Sequence, residues 1–199
     1  VRSSKSSKLL PDALLLGYRN GFFPMADSST DQIVWHRPDP RAIIPLNTVR
    51  IPRSLRQAVR KGTFTITFNN CFEEVIKQCS LRADTWINDD IVHSYTELHT
   101  MGFAHSVEAW HDDELVGGLY GVSISGAFFG ESMFSRKSDA SKVAFVHLVE
   151  HLRMRNFQLL DTQYINDFTA QLGAIEIPDS VYQVLLSDAL SAPVEFLGA

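Results

Sequence analysis

Residues 104–135 read AHSVEAWHDDELVGGLYGVSISGAFFGESMFS. Three apolar or alternating runs, 104–110, 114–124 and 127–135, are separated by Asp112–Asp113 and by Ser125–Gly126. Alternation with period two fits half-buried strands, and Asp, Ser and Gly are the residues that tight turns demand. The stretch therefore predicts a three-stranded antiparallel meander. Downstream, Val143, Val146, Leu148, Val149 and Leu152 keep helical spacing and predict a long helix from about Asp139 to Arg155. FQLLDTQ (157–163) follows as a further strand. Asn166 and Asp167 can start a short helix ending at Gly173, and Pro178 opens a last helix through Leu190. Strands, helix, strand, helix make an α+β layer, a mixed sheet with flanking helices.

Upstream the pattern is weaker. Pro11 can open a helix carrying Leu14, Leu15 and Tyr18, stopped by Gly21. Four prolines between Pro24 and Pro45 make the next stretch loop-like, with Ile33 to Trp35 as an edge strand. A lobe boundary near Pro40 divides the chain into a small N-terminal lobe, 1–40, and a main lobe, 41–199. Ser54 to Lys61 reads as a basic helix and TFTITF (63–68) as a strand. Asn70 with Glu73 resembles a capping box for a helix to about Cys79, and a further helix spans Asp89 to Met101.

Composition narrows the function. The chain has 199 residues, 45% of them hydrophobic and 21% charged, which is enough to bury a core and excludes wholesale disorder. No apolar run approaches the roughly 18 residues of a membrane span. VRSSKSSK (1–8) lacks an apolar stretch behind it and reads as a frayed or trimmed terminus. Cys71 and Cys79 are placed as reduced thiols, which suits a cytoplasmic protein. The net charge of −5 is unlike that of a protein that wraps nucleic acid, so any such contact should be local. No zinc spacing appears. His147 and His151 are four apart on a helix but lack a third ligand, so no metal is expected.

Certain residues carry chemistry by type and place. Asp161 and Gln163 are two apart on a strand and should share a face, with Thr162 turned away. A carboxylate beside an amide can orient an amine; read from the residues alone, a strand-end cap is the more ordinary role. Glu131 and Met133 likewise share a face. Arg53, Arg56 and Arg60 fall on one helical stripe suited to phosphates, or to plain solvation. Ser141–Lys142, at a helix start, is a second place for a phosphate. GxxxxGK[ST] is absent.

Several segments together resemble one family. GYRNGFFPM (17–25), WHRPDPR (35–41), HSVEAW (105–110), LVGGLYGV (115–122), FGESMFSRKSDASKVA (129–144), LLDTQ (159–163) and LGAIEIP (172–178) are similar, in that order, to leucyl/phenylalanyl-tRNA–protein transferases. The resemblance implies a GNAT-like main lobe, a small N-terminal lobe and no metal or organic cofactor. It implies transfer of Leu or Phe, less well Met, from aminoacyl-tRNA to proteins beginning with Arg or Lys, a mark for N-end-rule degradation. Asp161 and Gln163 become the catalytic pair. Glu131 becomes a contact for the basic acceptor residue, and Met133, Leu119, Phe145, Leu148 and Leu160 the donor side-chain pocket. Trp86, Trp35 and Met25 would hold the terminal adenosine, and Arg53, Arg56 and Arg60 the tRNA phosphates. A monomer that contacts no membrane is expected. Two alternatives stay open. A GNAT-type acyl-CoA enzyme would need a glycine-rich turn before the long helix, where this chain has SRKSDASK. A catalytically silent tRNA-binding module would bind charged tRNA without transfer.

Overall fold

The computed structural model describes residues 9–82 and 85–198; the basic segment 1–8, and Asp84 beside Trp86, lie outside them. Seven strands form one mixed sheet in the order β4-β5-β6-β7-β8-β3-β9, with β4 (Thr65–Phe68) at one edge. The meander is β5 (Ala104–His111), β6 (Glu114–Ile124) and β7 (Ala127–Ser135), antiparallel throughout. Its turns sit at Asp112, Asp113 and Ser125, each with positive φ, as the turn residues predicted. Helix α5 (Ala140–Met154) then carries the chain back to β8 (Leu159–Gln163), which pairs with β7 in parallel. Antiparallel strands followed by a helical crossover into one central parallel pair are the GNAT-like α+β arrangement.

Three short strands, β1 (Phe23–Ala26), β3 and β9, went unread in the sequence. β1 pairs with β2 (Ile33–His36), the edge strand expected at Ile33 to Trp35, as a separate hairpin. Pro24 is tolerated because an edge position needs no donated hydrogen bond on the solvent side. Arg41–Ile43 (β3) joins the main sheet between β8 and β9 (Ile175–Ile177). These strands are only three or four residues long, and β1 contains Pro24, so alternation never develops.

Helix α1 (Pro11–Arg19) lies before the hairpin; α2 (Arg53–Lys61), α3 (Phe72–Ser80), α4 (Asp89–Thr100), α6 (Asp167–Gln171) and α7 (Asp179–Ser191) complete the set. At α4, Asn88 caps by accepting from the Ile91 amide, and α6 starts with a full capping box from Asn166 and Thr169. The capping box expected at Asn70 is absent: α3 begins after Cys71, with no side-chain cap. Cys71 and Cys79 are free, and burial pushes their thiols up to about 11 and about 12.

Two apolar clusters sandwich the sheet. One joins Leu14, Tyr18 and Phe23 to Phe72, Ile76, Tyr95, Tyr120 and Phe129, so residues from both sides of Pro40 share a core. The other packs α5, through Val143, Phe145, Leu148 and Leu152, onto Val107, Leu119, Phe128 and Leu160.

Candidate active site

The site begins where pairing ends. Strand β8 is in register with β7 only at Ala127–Leu159, Phe128–Leu160 and Phe129–Asp161. Beyond Phe129 the two strands part, while β7 stays bonded to β6 as far as Ser135. Within that continuing pair the register shifts: Tyr120 faces Ser132 and Gly121 faces Gly130, leaving Glu131 as the extra residue of a β-bulge. A cavity of about 150 Å³ opens in the wedge. Leu119, Met133, Phe145 and Leu148 give it apolar walls, with Trp86 and Arg82 at one side. Glu131, Thr162, Gln163 and Asn166 supply the polar part of its lining.

The polar groups are held tightly. Gln163 ends β8 in the left-handed region, φ 63°, so the strand alternation fails at its last step. Its Nε2 donates to Glu131 Oε1 at 2.8 Å. Tyr18 donates to the same carboxylate at 2.7 Å, Tyr95 approaches its other oxygen at 3.4 Å, and the two phenols are bonded to each other. Burial pushes both phenols well above the ordinary tyrosine value, so they remain neutral donors. Burial, reinforced by Asp161, also raises Glu131 to about 7, against the lowering effects of Tyr18, Arg41 and Tyr95.

Asp161 stands one layer behind. It is fully buried, and its carboxylate takes Arg41 Nε at 3.0 and 3.1 Å and Arg41 Nη2 at 2.7 Å. Tyr182 donates to it at 2.6 Å and the Gln163 backbone amide at 2.8 Å. Asp161 and Gln163 thus do not present one common face. Gln163 reaches the cavity, Thr162 lines it too instead of turning away, and Asp161 anchors Gln163 from inside.

Seven of the residues singled out in the sequence meet at this cavity: Glu131, Met133, Leu119, Phe145, Leu148, Trp86 and Gln163. Leu160 does not; it is fully buried in the core beside α5. Met25 shares a second cavity with Trp86, Val34, His36 and Asp27. Trp35 is directed elsewhere, its ring covering Gly17, where an added Cβ would lie 2.2 Å away. Arg53, Arg56 and Arg60 line one shallow basic groove on α2. At Ser141 the amide meets Ser135 Oγ at 3.3 Å, and β6 packs so closely that a Cβ on Gly117 would sit 2.6 Å from Ala140 Cβ. That helix start is closed to a phosphate. Among the described residues no cluster of three or more His, Cys, Asp or Glu could hold a metal; His151 bonds the Phe196 carbonyl and His147 lies near Glu150.

Sequence reasoning missed Tyr18, Tyr95, Arg41 and Tyr182. The first two lie 77 residues apart on α1 and α4 and meet only in the fold. A usable signal was Tyr18 at i+4 from Leu14, on the apolar face of α1.

An apolar pocket with an amide and a carboxylate at its polar side thus opens on the α+β sheet. The chain belongs to the leucyl/phenylalanyl-tRNA–protein transferase family, and so to the aminoacyltransferases. The family model "Leucyl/phenylalanyl-tRNA protein transferase" matches residues 43–187, and that of its N-terminal domain residues 7–39. A leucyl/phenylalanyl-tRNA–protein transferase of Gloeobacter violaceus is 50% identical over 94% of this chain and 97% of its own. That of Salinibacter ruber is 50% identical over 92% and 80%. Among solved structures, L-PGS from Bacillus licheniformis superposes with a TM-score of 0.47 at 11% identity, over 90% of this chain and 70% of that one.

Proposed function

We propose that the cavity between β7 and β8 takes the Leu or Phe side chain, less readily that of Met, of an aminoacyl-tRNA. The aminoacyl group is transferred there to the α-amine of a protein beginning with Arg or Lys, a mark for N-end-rule degradation in the cytoplasm. No helix among the described residues is long and apolar enough to cross a membrane. The enzyme acts as a monomer, without metal or organic cofactor, and the divisions 1–40 and 41–199 are its two lobes.

The reaction is ester aminolysis. The amine nitrogen bonds to the ester carbonyl carbon, the bond to the terminal ribose oxygen breaks, and the proton lost by nitrogen ends on that oxygen. An α-amine has a pKa near 8, so a useful fraction is neutral at pH 7 and positioning is the main demand. With Gln163 Nε2 donating to Glu131, its Oε1 is the atom that accepts from the amine in this reading. A neutral amide is a very weak base, so Gln163 orients the amine while Asp161 holds Gln163. This Glu131–Gln163 contact on the cavity wall is the observation that carries the proposal.

Glu131 was expected to pair with the acceptor's Arg or Lys. Its oxygens already receive Tyr18, Tyr95 and Gln163, so any such attraction acts at longer range. Met133, Leu119, Phe145 and Leu148 fit the donor side chain, with Leu160 backing them from the core. Trp86 is the adenosine platform, with Met25 across the adjoining cavity and Trp35 bracing the small lobe on α1. Arg53, Arg56 and Arg60 meet tRNA phosphates.

The test is transfer of labelled Leu and Phe from tRNA to a peptide starting with Arg. Wild type should be active, and Gln163→Ala should lose about 10²-fold or more in kcat, the scale for one positioned polar group. Trp86→Ala should raise KM for the donor by about 10-fold, the scale of one stacked base. No transfer by the wild type, or full activity in Gln163→Ala, would sink the reading.

A further inference from the structure

We propose that Arg41 is a positioning residue for the transfer step, fixing the cavity amide through Asp161 while tying the small lobe to the catalytic strand. The inference rests on the reading of Gln163 given above.

Arg41 is the largest fully buried side chain, 1% exposed, and its guanidinium lies between the rings of Phe23 and Tyr182, 4.8 Å from each centroid. Its donors are divided. Nε and Nη2 hold the two oxygens of Asp161, and Nη1 donates to the Gly21 carbonyl at 3.0 Å. Gly21 closes the segment after α1, and Phe23 opens the β1–β2 hairpin. One planar cation therefore grips the small lobe with one nitrogen and the catalytic strand with two. Arg41 is not among the residues lining the cavity.

The consequence reaches Gln163 through its backbone. A non-glycine residue keeps φ near +63° only where its surroundings fix it. Here the fixing contacts are the Asp161 carboxylate, which accepts the Gln163 amide, and β3, whose Ala42 is the register partner of Gln163. Arg41 precedes Ala42 directly and orients that carboxylate by a two-point fork. A displacement of about 1 Å at a reacting group can cost on the order of 10²-fold in rate. Lysine keeps the charge but is a single-point donor that cannot span Asp161 and Gly21 together.

The experiment compares Arg41→Lys, Arg41→Ala and Tyr182→Phe with wild type, reading near-UV circular dichroism, kcat, and KM for Leu-tRNA. Arg41→Lys should keep the native near-UV spectrum and the donor KM within about twofold while kcat falls about 10- to 100-fold. Tyr182→Phe should lower kcat by a smaller factor in the same pattern. Millimolar methylguanidinium should restore part of the kcat of Arg41→Ala by refilling the slot between Phe23 and Tyr182. Should Arg41→Ala not fold, the other two variants decide. A natively folded Arg41→Lys with wild-type kcat, or one whose loss lies in donor KM alone, overturns the proposal. Gln163→Ala run alongside separates the failures. If it is inactive while Arg41→Lys is fully active, only the role of Arg41 falls; if it is fully active, the reading of the site falls first.

Discussion

Tyr18 and Glu131, 113 residues apart, share a 2.7 Å hydrogen bond that joins helix α1 to the bulge in the main sheet. Helix α1 therefore acts on the electrostatics of the site from behind its wall, through Glu131. A carboxylate surrounded by two phenols and an amide is stabilised by donors yet penalised by burial, and burial is the larger effect.

The first prediction concerns pH and stability. Glu131 is raised from 4.5 to about 7 in the folded protein. Between those values the folded state holds a proton that the unfolded chain releases. The contribution of Glu131 to stability therefore falls as pH rises through this window, by about 1.4 kcal/mol per unit and roughly 3 kcal/mol in all, against an opposing rise from His105, which burial lowers to about 4. Glu131→Gln removes that contribution, so the variant should gain stability relative to wild type as pH rises through the window. Urea denaturation at pH 5 and pH 7.5 measures it; equal slopes in both proteins would refute the assignment.

Donor choice should follow the cavity wall. Met133→Ala removes volume beside Leu119 and Phe145 without removing a hydrogen-bonding side chain. The ratio of kcat/KM for Phe-tRNA over Leu-tRNA should rise by about 10-fold, the scale of one or two methylene groups. Competition between the two charged tRNAs reads it directly.

The α2 arginines should act on tRNA and not on the peptide. Replacing Arg53, Arg56 and Arg60 by Gln should raise the donor KM and reduce its salt dependence, by up to about 0.9 in logarithmic slope for each phosphate no longer neutralised. The KM of the acceptor peptide should stay unchanged. An unaltered salt slope would make that stripe a solvated helix face.

Two facing glycines should respond unequally to a methyl group. A Cβ at Gly121 would lie 2.4 Å from the Phe129 carbonyl oxygen and 2.5 Å from the Phe128 ring. Backbone cannot give way cheaply there, so Gly121→Ala should cost about 3 kcal/mol or more. At Gly130 the neighbour that Cβ would meet is the Asp161 carbonyl oxygen, at an ordinary 3.5 Å, and Gly130→Ala should cost less than about 1 kcal/mol. Paired urea melts check the contrast.

The meander, α5, β8 and α7 were legible because each is long enough for its period to show. Arg41 was not, since arginine is almost never fully buried unless paired, and its partner lies 120 residues away. The face-sharing expected of Asp161 and Gln163 failed for a local reason: the strand ends at Gln163 in a left-handed turn, and alternation holds only while φ stays extended. Glu131 and Met133 were rightly grouped, yet the bulge that gives Glu131 no partner on β6 has no mark in the letters GES. The family pattern located Gln163; packing alone explains why its amide is held.

The cavity is a gap between diverging strands, not a hollow dug out of packed core. No ladder bond ties β8 to β7 past Phe129, so side chains such as Met133 and Thr162 can be exchanged there without unzipping the sheet. The chemistry of the cavity wall and mechanical integrity are thus separable in this architecture, leaving its descendants free to retune one while inheriting the other intact.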